Sequence, residues 1–282
     1  MQTVNDQLTL SQRWKASHIG LVIPAIALLV IFFIIPLLGL LLRSVMEPEP
    51  GLQNYEALLG STNYLRVFLN TFIVSGVVTI ISLVVGFPVA WGLAIMPQRW
   101  AQIFFGIMLL SMWTNLLTRT YAWMILLQQT GLINKMLMGI GLIHRPLPLI
   151  NNLTGVIIGM TYIMLPFIVL PLHSTLKKID PSILQAASLC GASRTQALWR
   201  ILLPLSAPGM AAGALMVFVM SLGYFVTPAL LGGAANMMVA QMIAQFVQSL
   251  LNWGMGGAAA FVLMVITLIL YTIQFKLLNV KK

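Results

Sequence analysis

An all-α integral membrane protein of six spans is the fold class this sequence predicts, from its composition, its run lengths and its charge placement. Apolar residues make up 60% of the 282 and charged residues only 7%, with a mean hydropathy of +0.97. A soluble domain carries about 25% charged residues, so a water-facing surface cannot be built from this chain. Apolar residues gather in six runs at roughly 19–42, 69–95, 102–127, 153–173, 207–231 and 257–277. Each is long enough to cross a bilayer as a helix of about 20 residues. No Asp, Glu or Lys lies deep inside any run, and the net charge of +10 sits at the run ends. That charge is a topology signal and not a nucleic-acid footprint.

The first run follows Arg13 and Lys15. It exceeds the apolar core of a signal peptide, about 7–15 residues, and lacks a small-residue cleavage site, so it reads as a retained span. Residues 1–18 are then a cytoplasmic N-terminal segment and 19–282 the transmembrane domain. With the N-terminus inside, ten basic residues face the cytoplasm (Arg13, Lys15, Arg99, Lys177, Lys178, Arg194, Arg200, Lys276, Lys281, Lys282). Four face outward (Arg43, Arg66, Lys135, Arg145), and Arg119 stays within the third run. The asymmetry predicts both termini in the cytoplasm.

Between runs, 96–101 reads as a tight cytoplasmic turn. The outer connection 43–68 holds three of the five acids, Glu47, Glu49 and Glu56. Residues 128–152 predict a short helix bounded by turns at Gly131, Gly139, Gly141, Pro146 and Pro148. In 237–251, Met238, Met242, Phe246 and Leu250 recur every fourth residue, as in a helix lying on the membrane or dipping back into it. Pro166 and Pro171 are expected to kink the fourth span. The single Cys190 excludes an internal disulfide and reads as a small packing residue.

The cytoplasmic segment 174–206 is the most informative. Asp180-Pro181 is a helix start: Asp caps free amides and Pro fits the first helical position. A helix from Pro181 to about Cys190 should stop at Gly191 in the left-handed conformation. Ser193 with Gln196 three residues on forms a capping box and opens a second short helix. Pro204 and Pro208 are expected to break that helix before the fifth span. Small residues at 186 and 187 let another backbone approach closely. By residue chemistry alone, such an elbow suits either a partner's groove or anionic lipid headgroups.

Gln185-Ala186-Ala187, then Gly191, Ile201, Leu203 and Pro204, match at every spacing a motif of ABC importer permeases. In that motif Glu-Ala-Ala is followed after three residues by Gly and after nine more by Ile-x-Leu-Pro. The only departure is Gln for Glu at 185. The chain is identified as a member of that family by seven positions across twenty residues. The resemblance runs from Asn54-Tyr55 through the last span and is greatest to spermidine/putrescine-type permeases. Trp113-Thr114-Asn115, Arg119-Thr120-Tyr121, Ile158-Gly159-Met160-Thr161-Tyr162, Leu165-Pro166-Phe167, Leu205-Ser206-Ala207-Pro208-Gly209, Ala212-Gly213, Phe225-Val226-Thr227-Pro228 and Leu231-Gly232-Gly233 carry it. It implies a type I ABC importer (MetI-like) permease fold in the bacterial inner membrane. It also implies a second homologous permease, two ATPase subunits and an external substrate-binding protein as partners. Gln185, Ala186, Ala187, Gly191, Arg194, Ile201, Leu203 and Pro204 would then couple to the ATPase. ATP and magnesium belong to that partner, so this chain is expected to bind no cofactor and no nucleic acid.

Candidates for the substrate path are Trp113, Asn115, Arg119, Tyr162, Tyr224 and Phe225, each also open to a packing role. Arg119 reads either as an interfacial anchor or as a vestibule contact. Met220, Tyr224, Phe225 and Pro228 are candidates for an aromatic gate. A carrier driven by protons or sodium usually needs ionisable residues at mid-membrane, which these runs lack. A phosphate loop is also missing, so the ATPase must be another chain. His18, His144 and His173 form no metal pair, which argues against an intramembrane enzyme. The expected cargo is a polyamine. The alternatives are iron, phosphonate, sulfate, an amino acid or thiamine, with a stand-alone carrier further behind.

Overall fold

The structure, a computed structural model, describes residues 22–279. The expected N-terminal segment 1–18, with Arg13, Lys15 and His18, and the basic pair Lys281-Lys282 lie outside the described residues. Twelve helices are labelled in chain order. They are α1 (Val22–Met46), α2 (Gln53–Gly60), α3 (Thr62–Ile95), α4 (Gln98–Trp113), α5 (Leu116–Leu127) and α6 (Leu132–Gly139). They continue as α7 (Leu153–Leu176), α8 (Pro181–Leu189), α9 (Arg194–Leu222), α10 (Val226–Leu231), α11 (Val239–Ala244) and α12 (Trp253–Asn279). Among the described residues, α1, α3, α7, α9 and α12 are each long and apolar enough to cross a membrane. Counting the bent pair α4 and α5–α6 as one broken span gives six.

Helices α3, α7 and α9 form the centre. Their sequences are apolar all round, the pattern of helices that bury one side in protein and offer the other to lipid. Val74 and Val78 of α3, Met160, Met164 and Ile168 of α7, and Val217 of α9 close this core. A Cβ added at Gly213 would lie 3.1 Å from the Ile168 Cα, and one at Gly86 would lie 2.3 Å from the Ile168 Cγ2. Ile168 therefore fits between α3 and α9 only because both present glycine there. With no hydrophobic effect between helices in lipid, such backbone approach supplies the packing contacts. Helix α1 is mostly exposed and lies against α12, where Gly257 sits under the Leu40 carbonyl.

Several predicted elements are corrected. The third run is not one continuous helix: the axis turns by 98° between α4 and α5–α6. Asn115 causes the restart, its side chain accepting from the Leu117 and Thr118 amides at 2.8 and 3.4 Å. Pro204 and Pro208 do not break the chain, because a π turn at Leu198–Leu202 joins the elbow to the span. The Leu203 amide reaches back to the Leu198 carbonyl, which widens the helix just before the proline that has no N–H to give. The π turn Val30–Ile34 stands at the same offset from Pro36. The fifth span ends at Leu222 and not at 231. Pro166 and Pro171 lie within the uninterrupted α7.

The methionine stripe at 238–250 also changes meaning. Met238, Met242 and Phe246 are buried, the latter two with Phe68 of α3 and Met255 and Ala259 of α12. Only Leu250 is exposed. The stripe docks α11 onto protein, and Thr71 fastens it by accepting the Val239 amide at 2.9 Å. Asn54 binds the carbonyls of Ser44 and Glu47, tying α2 to the end of α1.

Candidate functional site

The elbow between α7 and α9 is built by local chemistry. The Asp180 carboxylate accepts the Ser182 amide at 2.9 Å, and Pro181 occupies the first turn of α8. The Ser182 backbone N–H, seconded by its hydroxyl, holds the Asp180 carboxyl below its ordinary range. At the far end Gly191 takes φ +82°, the left-handed region that other residues avoid. Its amide bonds the Ser188 carbonyl and the Ala192 amide bonds the Ala187 carbonyl, both at 3.0 Å. This is the two-bond C-terminal closure that glycine permits. Ser193 and Gln196 then cap reciprocally, at 3.2 and 2.9 Å. The reversal is pinned on both sides of Gly191 within five residues.

Its inner face is bolted to the bundle. Leu184, Leu198 and Leu202 pack with Ala90 and Leu93 of α3 and with Leu172 and Leu176 of α7. Lys177 reaches Gln98 at the start of α4, 3.4 Å away. Through Leu184, α8 thus rests on the elbow-side ends of α3 and α7.

Of the eight elbow residues singled out by sequence, Gln185, Ala186, Gly191, Arg194 and Pro204 are exposed, while Ile201 and Leu203 are half-buried. Ala187 turns inward at 8% exposure, so Ala186 presents the small outward surface. Two residues were missed. Leu189 is 90% and Trp199 67% exposed, large apolar side chains on a polar connection with nothing over them. Their apolar character inside a charged linker was the available signal. Cys190 is exposed and does not pack. It lies just beyond the last turn of α8, and the inward positions are taken by Leu184 and Ala187.

The six candidates for a path do not form one cluster. Trp113 points outward at 87% exposure, and Asn115 is spent on capping α5. Tyr162 bonds Ser111 at 2.7 Å and stacks at a tilt on Trp123, 5.4 Å between centroids. The Nε of Arg119 is buried without a hydrogen-bond partner, and the Thr227 hydroxyl pairs with Thr120 of α5 at 3.4 Å. Tyr224 packs on the main core and Pro228 is buried, whereas Phe225 is 40% exposed and borders open clefts. The expected aromatic gate is therefore divided between core and surface.

The family model described as "Binding-protein-dependent transport system inner membrane component" matches residues 62–279. The spermidine/putrescine transport system permease protein PotB of Escherichia coli K12 is 32% identical over 272 residues, covering 93% of this chain and 98% of its own. PotB of Haemophilus influenzae is 34% identical over 264 residues, covering 90% and 92%. Among solved structures, a bacterial alginate ABC transporter, crystallised with an alginate-bound periplasmic protein, shares the fold. It superposes with TM-score 0.76 at 18% identity, covering 94% of both chains.

Proposed function

Because the chain belongs to the binding-protein-dependent transport system inner membrane component family, and is a permease subunit of an ABC transporter and no enzyme, we propose that it imports linear polyamines. Cargo of the putrescine and spermidine kind is supported by identity above 30% across nearly whole lengths with permeases of that name. Its partners are a second homologous permease, two ATPase subunits that hold ATP and magnesium, and a substrate-binding protein outside. The excess of basic residues in the connections on the elbow side supports both termini in the cytoplasm.

The observation that carries this reading is the pinned elbow with its bare apolar side chains. Ala186 and Leu189, three residues apart on α8, offer the face that an ATPase groove covers, and Gln185, Arg194 and Trp199 stand exposed on the same elbow. Gln at 185 keeps hydrogen-bonding capacity but forgoes an ion pair. An exposed pair contributes only about 0–1 kcal/mol, so apolar contact sets the grip. Closure of the ATPase pair pushes α8. Leu184 and Leu202 carry the push into α3 and α7, and the tightly packed trio moves as one body.

Cys190 supplies the test, being the chain's single cysteine and exposed beside this face. In the assembled transporter, a short photo-crosslinker on Cys190 should trap the ATPase subunit, and ATP should change the yield. Attachment to lipid alone would sink the docking assignment. Uptake of labelled putrescine and spermidine, against iron, thiamine and amino acids, tests the cargo.

A further inference from the structure

Helix α1 packs mainly along α12, and beside that seam lies a groove on the lipid-facing side. Pro36, Gly39, Leu40 and Arg43 of α1 and Trp253 of α12 line about 340 Å³. The floor is bare at Gly39, where an added Cβ would meet nothing within 4 Å. Leu38 and Leu42 beside it are exposed. Both helices are long and apolar enough to cross a membrane, so acyl chains are what the groove meets.

Arg43 stands at the groove's polar end. Its guanidinium lies over the Trp253 ring, 5.2 Å from the centroid, and its Nε is 3.7 Å from the Glu47 carboxylate. This is the only ion pair among the described residues, and both side chains are about half exposed. At that distance it is no hydrogen bond, so Arg43 N–H groups stay open to a further acceptor. Interfacial anchoring would explain Arg43 and Trp253, but neither the bare floor nor Glu47. Helix stability does not explain Glu47 either. A carboxylate just past the last turn of α1 faces the negative pole of the helix dipole, and Arg before Glu is the weaker i, i+4 order.

The order of groups selects the ligand. From mid-membrane toward this end of α1 the protein presents an apolar groove, then a cation, then an anion one turn further. A phosphatidylethanolamine presents the complement in the same order: acyl chain, phosphate, primary ammonium. An anionic lipid without an amine matches Arg43 alone and leaves Glu47 unanswered. A choline headgroup has both charges but no N–H to give the carboxylate. We propose that the α1–α12 groove is a phosphatidylethanolamine site. Its acyl chain lies along Pro36, Gly39 and Leu40, its phosphate accepts from Arg43, and its ammonium donates to Glu47. The bound lipid seals the seam that fastens a mostly exposed α1 to the bundle.

The test reads Trp253 fluorescence in the assembled transporter, held in nanodiscs. One host lipid mixture is doped, at equal mole fraction, with phosphatidylethanolamine, phosphatidylglycerol or phosphatidylcholine brominated near the glycerol end of the acyl chain. Subtracting a Trp253→Phe variant isolates this ring from the other tryptophans. Brominated phosphatidylethanolamine should quench Trp253 about threefold more than either competitor, the effect of an exposed ion pair. Glu47→Lys should reverse the order in favour of phosphatidylglycerol. Gly39→Leu, which fills the groove where the added side chain has room, should bring all three to one level. Recovery of each variant with its ATPase and permease partners checks assembly. Equal quenching by the three lipids in the wild type would mean ordinary boundary lipid and overturn the site. A preference that survives Gly39→Leu overturns the groove as its place. Displacement of the brominated lipid by soluble phosphoethanolamine would show that the headgroup alone is held, and would overturn the lipid assignment.

Discussion

The two ends of α9 are held in different ways. At the elbow end, every turn is closed by neighbours in sequence: Asp180 on Ser182, Ala192 on Ala187, Ser193 on Gln196. At the other end the chain is held by distant partners, such as Thr71 on Val239 and Thr120 on Thr227, 168 and 107 residues apart. The elbow's capping groups find partners, whereas Ser221 and Gln241 at the far end keep buried oxygens without any. A lever must keep its shape under load, and local capping provides that. Tertiary anchoring at the far end leaves the Ser221 and Gln241 oxygens without partners.

The largest expected effect comes from cutting the connection between those ends. Gly213→Leu forces a side chain into the Ile168 backbone, which stands 3.1–3.2 Å from the position of a Cβ. Overpacking of this kind costs about 1–3 kcal/mol or more. The α7–α9 contact should open, and recovery of the assembled transporter and its thermal midpoint should both fall. Gly223→Ala, where nothing stands within 4 Å of the added Cβ, is the matched control and should leave both near wild type. Equal behaviour of the two would remove the rigid link on which the comparison depends.

Next in size is the elbow's own turn. Gly191→Pro locks φ near −65° where +82° is required and deletes the amide that bonds Ser188. Cargo-stimulated ATP hydrolysis should be lost even where the protein still assembles. Gly191→Asn, which tolerates the left-handed region, should retain most of it. Loss in both variants would mean that side-chain bulk at the docking face matters, and not backbone shape.

The same contrast explains what could be read in the sequence. The elbow was readable almost to the residue, because caps and left-handed glycines act within a turn and leave their signature in adjacent letters. The break at Thr114-Asn115 was hidden inside an apolar run, since hydropathy does not register a cap within lipid. Pro204 misled because its effect depends on a π turn that relieves it, which composition does not encode. The stripe Met238, Met242, Phe246 had the right period, but periodicity cannot say whether protein or membrane meets the face. Of the path candidates, Asn115 proved to be a cap, and Phe225 gained a cleft only once the chain folded back.

The smallest effect sharpens the comparison by weakening the elbow without breaking it. The Ser182 amide binds the ionised form of Asp180, so the folded carboxyl is more acidic than in the unfolded chain. Its contribution to α8 is therefore fully present above the unfolded pKa and fades as pH falls through the folded one. Asp180→Ala should lower amide-exchange protection across 181–189 a few-fold at neutral pH, with no change around 239–249. The wild type should lose the same protection on acidification through the carboxylate range, whereas Asp180→Asn, which keeps a neutral cap, should show much less pH dependence there. Protection in α8 that ignores both pH and the Ala substitution would mean the elbow is held by Leu184 and its packing alone, and that the two ends of α9 are less different than their hydrogen bonds suggest.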